Sequence, residues 1–543
     1  MGRKTRNVNL MYDYIIIGGG SAGCVLANRL SEDESVRVLL LEAGGSDRHY
    51  KLKVPAAFYQ NYKTKRDWNY ETTPQAHSDN RPYFLPRGKT LGGCSSINAM
   101  IYIRGHKKDY DDWSSLGNPG WSYKEVLPYF KKSQYQEREV DSYHGKKGPL
   151  NVSDHSLPNP LSKTFLEAAQ STGIPFNPDF NGEKQLGCGP YQVTIKKGTR
   201  HSCATAFLKP AMSRPNLTVI TKAHVSRIII EEGRATGATY IKNKKTHTVS
   251  CQEEVILSSG AYNSPQLLML SGIGDSETLR SLDITPVHHL PGVGKNLQDH
   301  LALGVVAKCT QNITLDTAEN VSNLLKYLLF KKGPLTSNVA EAGAFFHSVS
   351  GLEAPDLQFH FGPCYFVDHG LVRPKGNAFT IAPTLLQPKS RGTVTLVSND
   401  PFAAPRIDHQ YLSDPADVKT FTAGVRKAFE VIESKAFDPF RGSYYQPEKK
   451  LEDPNEIAAF IRKHALTLYH PVGTCKMGND PMAVVDENLS VRGLKGLRVV
   501  DASIMPNIVR GNTNAPVIMI AEKAADLIKG ITLKKNQKNI SHS

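Results

Sequence analysis

The chain runs to 543 residues, 40% apolar and 22% charged, the balance of an ordinary globular protein large enough for more than one domain. No run approaches the roughly 18 apolar residues of a membrane span, and eight singly scattered cysteines offer neither a disulfide framework nor a metal spacing, so no metal is expected. The net charge of +15 raises an acidic partner, but Arg3, Lys4, Arg6, Lys529, Lys534, Lys535 and Lys538 lie in end segments without acids, and no basic stripe alternates with aromatics, so nucleic acid is not expected.

Residues 1–10 are polar and basic, without the apolar stretch of a secretory signal, and with 531–543 they read as flexible basic tails. The expected location is the cytoplasm. Peripheral attachment to the inner face of an anionic membrane is the sharper alternative to a solvated basic surface. A complete βαβ unit follows. Tyr14-Ile15-Ile16-Ile17 suits a buried parallel strand, Gly18-Gly19-Gly20-Ser21-Ala22-Gly23 supplies G-x-G-x-x-G, and 24–30 continues with helical spacing. A second apolar strand over 36–41 ends on Glu42. Gly18 permits the tight turn, Gly20 lets backbone approach a pyrophosphate, and Gly23 lets helix pack on strand. The phosphates then meet free N–H groups at a helix N-terminus, and Glu42 is placed to accept from a ribose. Strand, turn, helix, strand and acid in that order point to a bound dinucleotide.

A second small-residue loop runs from Arg87 through Gly92, Gly93, Ser95 and Asn98 to Met100, able to lie close to a flat ligand. From 121 to 180 the pattern is helical with turns, and 165–169 is one helix. Strands are expected at 217–220, 225–230 and 254–257, with Ser264-Pro265 opening a helix over 266–271. Further strands are expected at 357–361 and 393–397. Near the end stands Tyr469-His470-Pro471-Val472-Gly473-Thr474, then Val499-Val500-Asp501-Ala502-Ser503 and Gly511-Asn512-Thr513-Asn514-Ala515-Pro516. Pro516 suits the first residue of a helix over 517–528, whose N-terminus would address an electron-rich group. His470 is a side chain able to take a proton near neutral pH.

The stretches IIIGGGSAGCVLANRL, LLLEAGG, PRGKTLGGCSSINAMIYIRG, GAYNSPQLLMLSGIG, PGVGKNLQDH, YHPVGTCKMG and VVDASIMPNIVRGNTNAPVIMIAEKAAD resemble the glucose–methanol–choline (GMC) flavin oxidoreductases over essentially the whole length. The chain looks most like their choline dehydrogenases and bacterial aliphatic alcohol dehydrogenases. The resemblance implies an α/β Rossmann-like FAD-binding domain built from 11–150, 200–305 and 465–530. An α+β substrate domain with a mixed β-sheet and helices would take 151–199 and 306–464. It also implies FAD held by Gly18, Gly20, Ser21, Ala22, Gly23, Glu42 and Ala43, with adenine near Val225. The flavin ring would rest against Arg87, Gly92, Gly93, Ser95, Asn98, Ala99 and Met100, and be closed by Gly260, Asp501, Ala502, Asn512 and Thr513. His470 matches the catalytic histidine and Asn514 the second active-site residue. The implied reaction moves the alcohol proton toward His470 and a hydride to flavin N5, giving an aldehyde.

Departures from the family pattern narrow the expectation. Flavin-linked members carry His where this chain has Ile97, so FAD is expected to be non-covalent. Choline-oxidising members carry Glu two residues after the histidine of QDH, where this chain has Ala302. An uncharged primary alcohol is therefore favoured over choline, although Glu341, Trp68 and Phe366 could form a cage for a quaternary cation. His360 either lines the substrate pocket or is a hydrogen-bonded core histidine, and Tyr469 is expected to line that pocket. The electron acceptor is expected to be a quinone or another carrier than oxygen. An oxygen-using oxidase and a non-redox lyase on the same scaffold remain the rival readings, and the oligomeric state is open.

Overall fold

The computed structural model describes residues 11–139, 141–155 and 158–531, so the tails expected at 1–10 and 531–543 lie, apart from Ile531, outside the described residues. Strand β1 (Met11–Ile17) turns through Gly18-Gly19-Gly20 into helix α1 (Ser21–Leu30), and β2 (Val38–Glu42) returns parallel to β1 with Leu39 beside Ile15. Unbroken apolar runs suit these strands because a parallel sheet is covered on both faces; Ile15, Ile16, Leu39 and Leu40 have no exposed surface.

Strand β3 (Leu217–Thr221) adds in parallel beside β2. Strands β4 (His224–Glu231) and β5 (Arg234–Lys242) continue antiparallel into β6 (Lys245–Leu257), which serves two roles. Its first half is exposed and pairs with β5; its second half, with Val255 beside Ile15, is buried and runs parallel to β1. Periodicity did not signal β5, whose Ala235, Gly237 and Ala238 lack the bulky branched side chains that mark strands. β7 (Leu497–Val499) adds on the far side of the buried half of β6.

Two helices begin earlier than expected. Helix α2 (Gly260–Leu270) starts directly after β6, with Pro265 inside it rather than at its head. A proline there cannot donate to the carbonyl four residues back, that of Ala261. The Thr474 hydroxyl, 2.6 Å away, donates to it instead, so the break does not form. Helix α3 (Asn514–Ile528) starts three residues ahead of Val517, with Pro516 in its first turn, where N–H groups have no intrahelical partner. Lys529, counted with the basic tail, closes this helix and pairs with Glu32 at 2.7 Å.

A second sheet is antiparallel throughout, and the mixing of strand directions is confined to the first. Its strands run Arg441–Gln446, Val305–Cys309, Ala378–Leu385, Leu357–Gly362, Ala342–Phe346 and Gly187–Pro190. The long helix Pro415–Ile432 packs against it. The stretch 121–180 is only partly helical. Tyr123–Ser133 and Pro160–Ser171 are helices, but Gln134–Gln136 and Leu150–Val152 pair as short strands between them. Expected strand 393–397 is the shorter Thr393–Thr395, paired with Arg406–Asp408.

One ladder of the second sheet brings distant stretches of chain together. Leu301–Ala302 pairs antiparallel with Leu466–Thr467 and with Ala378–Leu385, so both short strands join the second sheet although the expected boundaries put them with the first. This register sets Leu301 opposite Thr467, and the Leu468 N–H donates to the His300 carbonyl at 2.9 Å. Two chain crossings thus bring residues 300 and 470 together.

Candidate active site

A cavity of about 480 Å³ runs between the sheets. At one end it is walled by Gly18, Gly20, Ser21 and Ala22 of the first turn, by Glu42 and Ala43 after β2, and by Val225 of β4. Gly23 lies beneath the wall. A Cβ on it would come within 1.9 Å of the Gly18 carbonyl oxygen, so glycine is required for α1 to start where it does. Glu42 is buried, and its two oxygens accept from the Gly19 N–H at 2.8 Å and the Gly44 N–H at 2.6 Å. Burial pushes its carboxyl up to about 7 against those two bonds. Hydroxyl donors from a ribose would return it toward the carboxylate.

The middle of the cavity is formed by the second small-residue loop. Arg87, Gly93, Asn98, Ala99 and Met100 face it, whereas Gly92 and Ser95 support it from behind. Ser95 Oγ donates to the Gly92 carbonyl at 2.6 Å and accepts from the Cys203 N–H at 3.0 Å. Asn98 Oδ1 takes the Met100 N–H and the guanidinium of buried Arg200 at 2.8 Å. Gly260, Asp501, Ala502, Asn512 and Thr513 line the opposite side. Asp501 fixes the start of α2 by accepting from the Gly260 N–H at 2.9 Å and from Ser264 Oγ at 2.5 Å. The N-termini of α1 and α3 meet here, where Ser21 Oγ donates to Asn514 Oδ1 at 2.8 Å.

His470 follows the short strand Leu466–Thr467. Its backbone N–H donates to Asp299 Oδ1 at 2.7 Å, and Asp299 is itself held by Thr467 Oγ1 and the Tyr411 hydroxyl. Its Nδ1 is 3.0 Å from His300 Nδ1, and His300 Nε2 is 3.0 Å from the Leu386 carbonyl. Burial drives His300 down to about 3, so it is neutral and carries one N–H. A carbonyl only accepts, so that N–H is on Nε2 and His300 Nδ1 must accept. The proton between the rings therefore belongs to His470 Nδ1. His470 Nε2 is left as an acceptor, and burial holds this imidazole well below its usual range, with positive charge from Arg87 acting the same way.

The carboxamide beside that nitrogen is Asn512, with Nδ2 3.4 Å from His470 Nε2. This corrects the sequence assignment of Asn514, whose side chain turns to Ser21. The two asparagines are two positions apart at a helix start, and the site selects the one before Thr513, the N-cap, because residues from Asn514 onward are already wound into α3. Asn512 Oδ1 is buried without a partner among the described residues.

His360, Phe366 and Tyr469 line the remaining end with Ile97, Phe58 and Val339. His360 is neutral, burial driving it down to about 3, with Nδ1 3.2 Å from Thr384 Oγ1 and Nε2 unpaired. The Tyr469 hydroxyl is 2.6 Å from His369 Nδ1. Glu341 is not in this wall. Its carboxylate accepts from the Asn159 N–H, Ser162 Oγ and Ser337 Oγ at 2.6–2.7 Å, because three buried donors claim it first. Trp68 reaches the wall beside His224, next to β4, stacked on Tyr70. A cage of Glu341, Trp68 and Phe366 therefore does not form. Four wall residues, Met100, Val339, Asp368 and Tyr469, hold left-handed backbone (φ +59°, +77°, +44° and +68°), which is costly for a branched valine and is found where a site over-determines the chain. His300 was not singled out in the sequence, its only signal being its place in the QDH stretch, and Asn512 was assigned there to the flavin rather than to the neighbourhood of His470.

The glycine turns, a buried carboxylate, converging helix N-termini and an unpaired buried carboxamide fit a dinucleotide with a flat ring. Family models of the GMC oxidoreductases match residues 12–302 and 388–521. An alcohol dehydrogenase (acceptor) of Pseudomonas putida is 48% identical over 95% of this chain and 96% of its own. The mitochondrial choline dehydrogenase of Mus musculus is 47% identical over 96% of this chain and 89% of its own. Among solved structures, pyridoxine 4-oxidase from Mesorbium loti superposes with a TM-score of 0.88 at 31% identity, covering 96% of this chain and all of that one.

Proposed function

The chain belongs to the GMC oxidoreductases, FAD enzymes acting on CH–OH donors, and we propose that it oxidises an uncharged primary alcohol, aliphatic or aryl, to the aldehyde. The observation that carries this reading is the neutral His470 ring, its Nε2 lone pair turned toward the cavity beside Asn512. Bound FAD supplies a two-electron acceptor for the carbinol hydrogen as hydride.

This chain's residues bind, orient and deprotonate. Gly18, Gly20, Ser21 and the N-terminus of α1 hold the pyrophosphate, and Glu42 the ribose. His470 Nε2 takes the hydroxyl proton, with His300 holding the ring in that tautomer. Asn512 Nδ2 donates to the alcohol oxygen and keeps it against the base. The positive end of α3 would stabilise the negative charge that a bound flavin gains on reduction. Cofactor attachment is non-covalent, supported by Ile97 in the wall where linked members carry His. The acceptor of electrons is a quinone or another non-oxygen carrier, supported by the acceptor-linked dehydrogenase among the relatives.

Choline is the second reading, favoured by the choline dehydrogenases among the relatives and by Asp368, an exposed carboxylate on the wall. Against it, Ala302 puts no carboxylate two residues after His300. Anaerobic mixing decides. Straight-chain or benzylic alcohols are expected to bleach the flavin; bleaching by choline alone would install the second reading. His470→Ala is expected to keep its yellow FAD and to slow bleaching about 10²–10⁴-fold. An unchanged rate would remove His470 from the reaction.

A further inference from the structure

The helix Val321–Phe330 is inside out. Its i, i+3, i+4, i+7, i+8 positions are Val321, Leu324, Leu325, Leu328 and Leu329, the stripe that a surface helix turns to the core. Here those five residues and Phe330 are between 42% and 73% exposed, and Tyr327 is the one buried side chain of the helix. Contiguous exposed apolar surface of this kind marks an interaction site. Lysines frame it. Lys326, Lys331 and Lys332 are exposed on and after the helix. Lys196 and Lys197 are exposed on the hairpin Ile195–Arg200, whose turn at Gly198 abuts the Lys331 carbonyl.

The patch adjoins the wall of the cavity. Tyr327 packs with Val54, Ala57 and Leu335, on the turn that carries wall residue Phe58. Before the helix, Glu319 pairs with Arg373 at 2.7 Å, which ties in the loop bearing wall residues Val367 and Asp368 and the exposed Leu371 and Val372.

We infer that this helix, with Leu371 and Val372, docks the protein on an anionic lipid bilayer and opens the cavity toward the membrane surface. No helix among the described residues is long and apolar enough to cross a membrane. Ten residues lying flat, leucines in the acyl boundary and lysines at the headgroups, are an interfacial anchor. Charge selects this occupant over a second copy, since a two-fold contact through the same face would set these lysines against each other. An apolar alcohol or a quinone dissolved in the bilayer then enters without crossing water. The docking itself does not depend on which alcohol is oxidised.

Flotation of the purified holoenzyme with phosphatidylcholine vesicles, with and without phosphatidylglycerol, tests this. The native protein is expected to float with the anionic vesicles, less so as salt rises. The variant Leu325→Ser, Leu328→Ser, Leu329→Ser keeps the net charge and is expected to lose bound fraction about tenfold, while retaining FAD and turnover with a water-soluble dye. Lys326→Gln, Lys331→Gln, Lys332→Gln should lose the preference for phosphatidylglycerol. Native protein that floats with neither vesicle overturns the inference, as does a serine variant that floats like the native chain. A native dimer that the serine variant turns into a monomer would assign the face to a second copy instead.

Discussion

At the scale of single residues, the site is a chain of directed hydrogen bonds whose sense is fixed at one end. The Leu386 carbonyl can only accept, and that requirement passes through the neutral His300 ring to His470 and leaves Nε2 as the base. His300 is a positioning residue. His300→Phe removes the acceptor for the His470 Nδ1 proton and frees the ring to turn. Flavin reduction is then expected to slow about 10²-fold with little change in KM, while His300→Asn, which keeps an acceptor, recovers part of it. A parallel rise in KM would instead mean a reshaped cavity. His470 was legible because its motif is distinctive. Asn512 was not separated from Asn514, because a carboxamide's direction depends on where the helix begins. Glu341 was misjudged because sequence does not reveal that Ser162, Ser337 and the Asn159 amide already satisfy it.

At the scale of elements, the two helices that present their N-termini to the cavity are locked to each other at both ends. Ser21 joins Asn514 at the front. Further along, Arg29 of α1 pairs with Glu522 and, at 2.6 Å, with Asp526 of α3, and Lys132 reaches Asp526 at 3.0 Å. Arg29 is almost wholly buried, so Arg29→Met leaves two carboxylates without their main partner. Removing one member of such a network costs about 3–5 kcal/mol. The denaturant midpoint should fall accordingly, and FAD should be released earlier in a thermal ramp; an unchanged midpoint would show that Lys132 alone compensates. The strands of the first unit were readable because burial on both faces demands unbroken apolar runs. Helix starts were less so. Pro265 and Pro516 signal a beginning, yet one is tolerated because Thr474 satisfies the freed carbonyl and the other because first-turn amides need no partner.

Across the whole molecule, burial of histidines sets the response to acid. His106, His201 and His369 are driven down to about 4, and His300, His360 and His409 to about 3, in each case chiefly by burial. In the unfolded chain they titrate near 6.5. Between these limits the unfolded chain binds more protons, so their contribution is full above pH 6.5 and drains away as pH falls. Each is worth up to about 1.4 kcal/mol per pH unit. Glu42, raised to about 7, works in the opposite direction, as do Asp67, Asp109, Asp299, Asp316, Asp486 and Glu522, which burial also raises but from an ordinary range below that of histidine. Thermal melts are expected to shift down by roughly 5 °C per pH unit below 6.5, and a flat Tm from pH 7.5 to 5.5 would contradict this. The second sheet was foreseeable through the family resemblance rather than from strand patterns alone. The pairing of Leu301–Ala302 with Leu466–Thr467 within the second sheet was not foreseeable, since each strand is two residues long and pairs across more than a hundred others.

The bond from Ser21 to Asn514 spans 493 positions of chain. A ribosome makes the first of these residues 493 positions ahead of the second. The nucleotide cradle therefore cannot close on a growing polypeptide, and capture of the vitamin-derived group has to wait for translation to pass α3. A message cut short ahead of that helix would yield chains that never turn yellow.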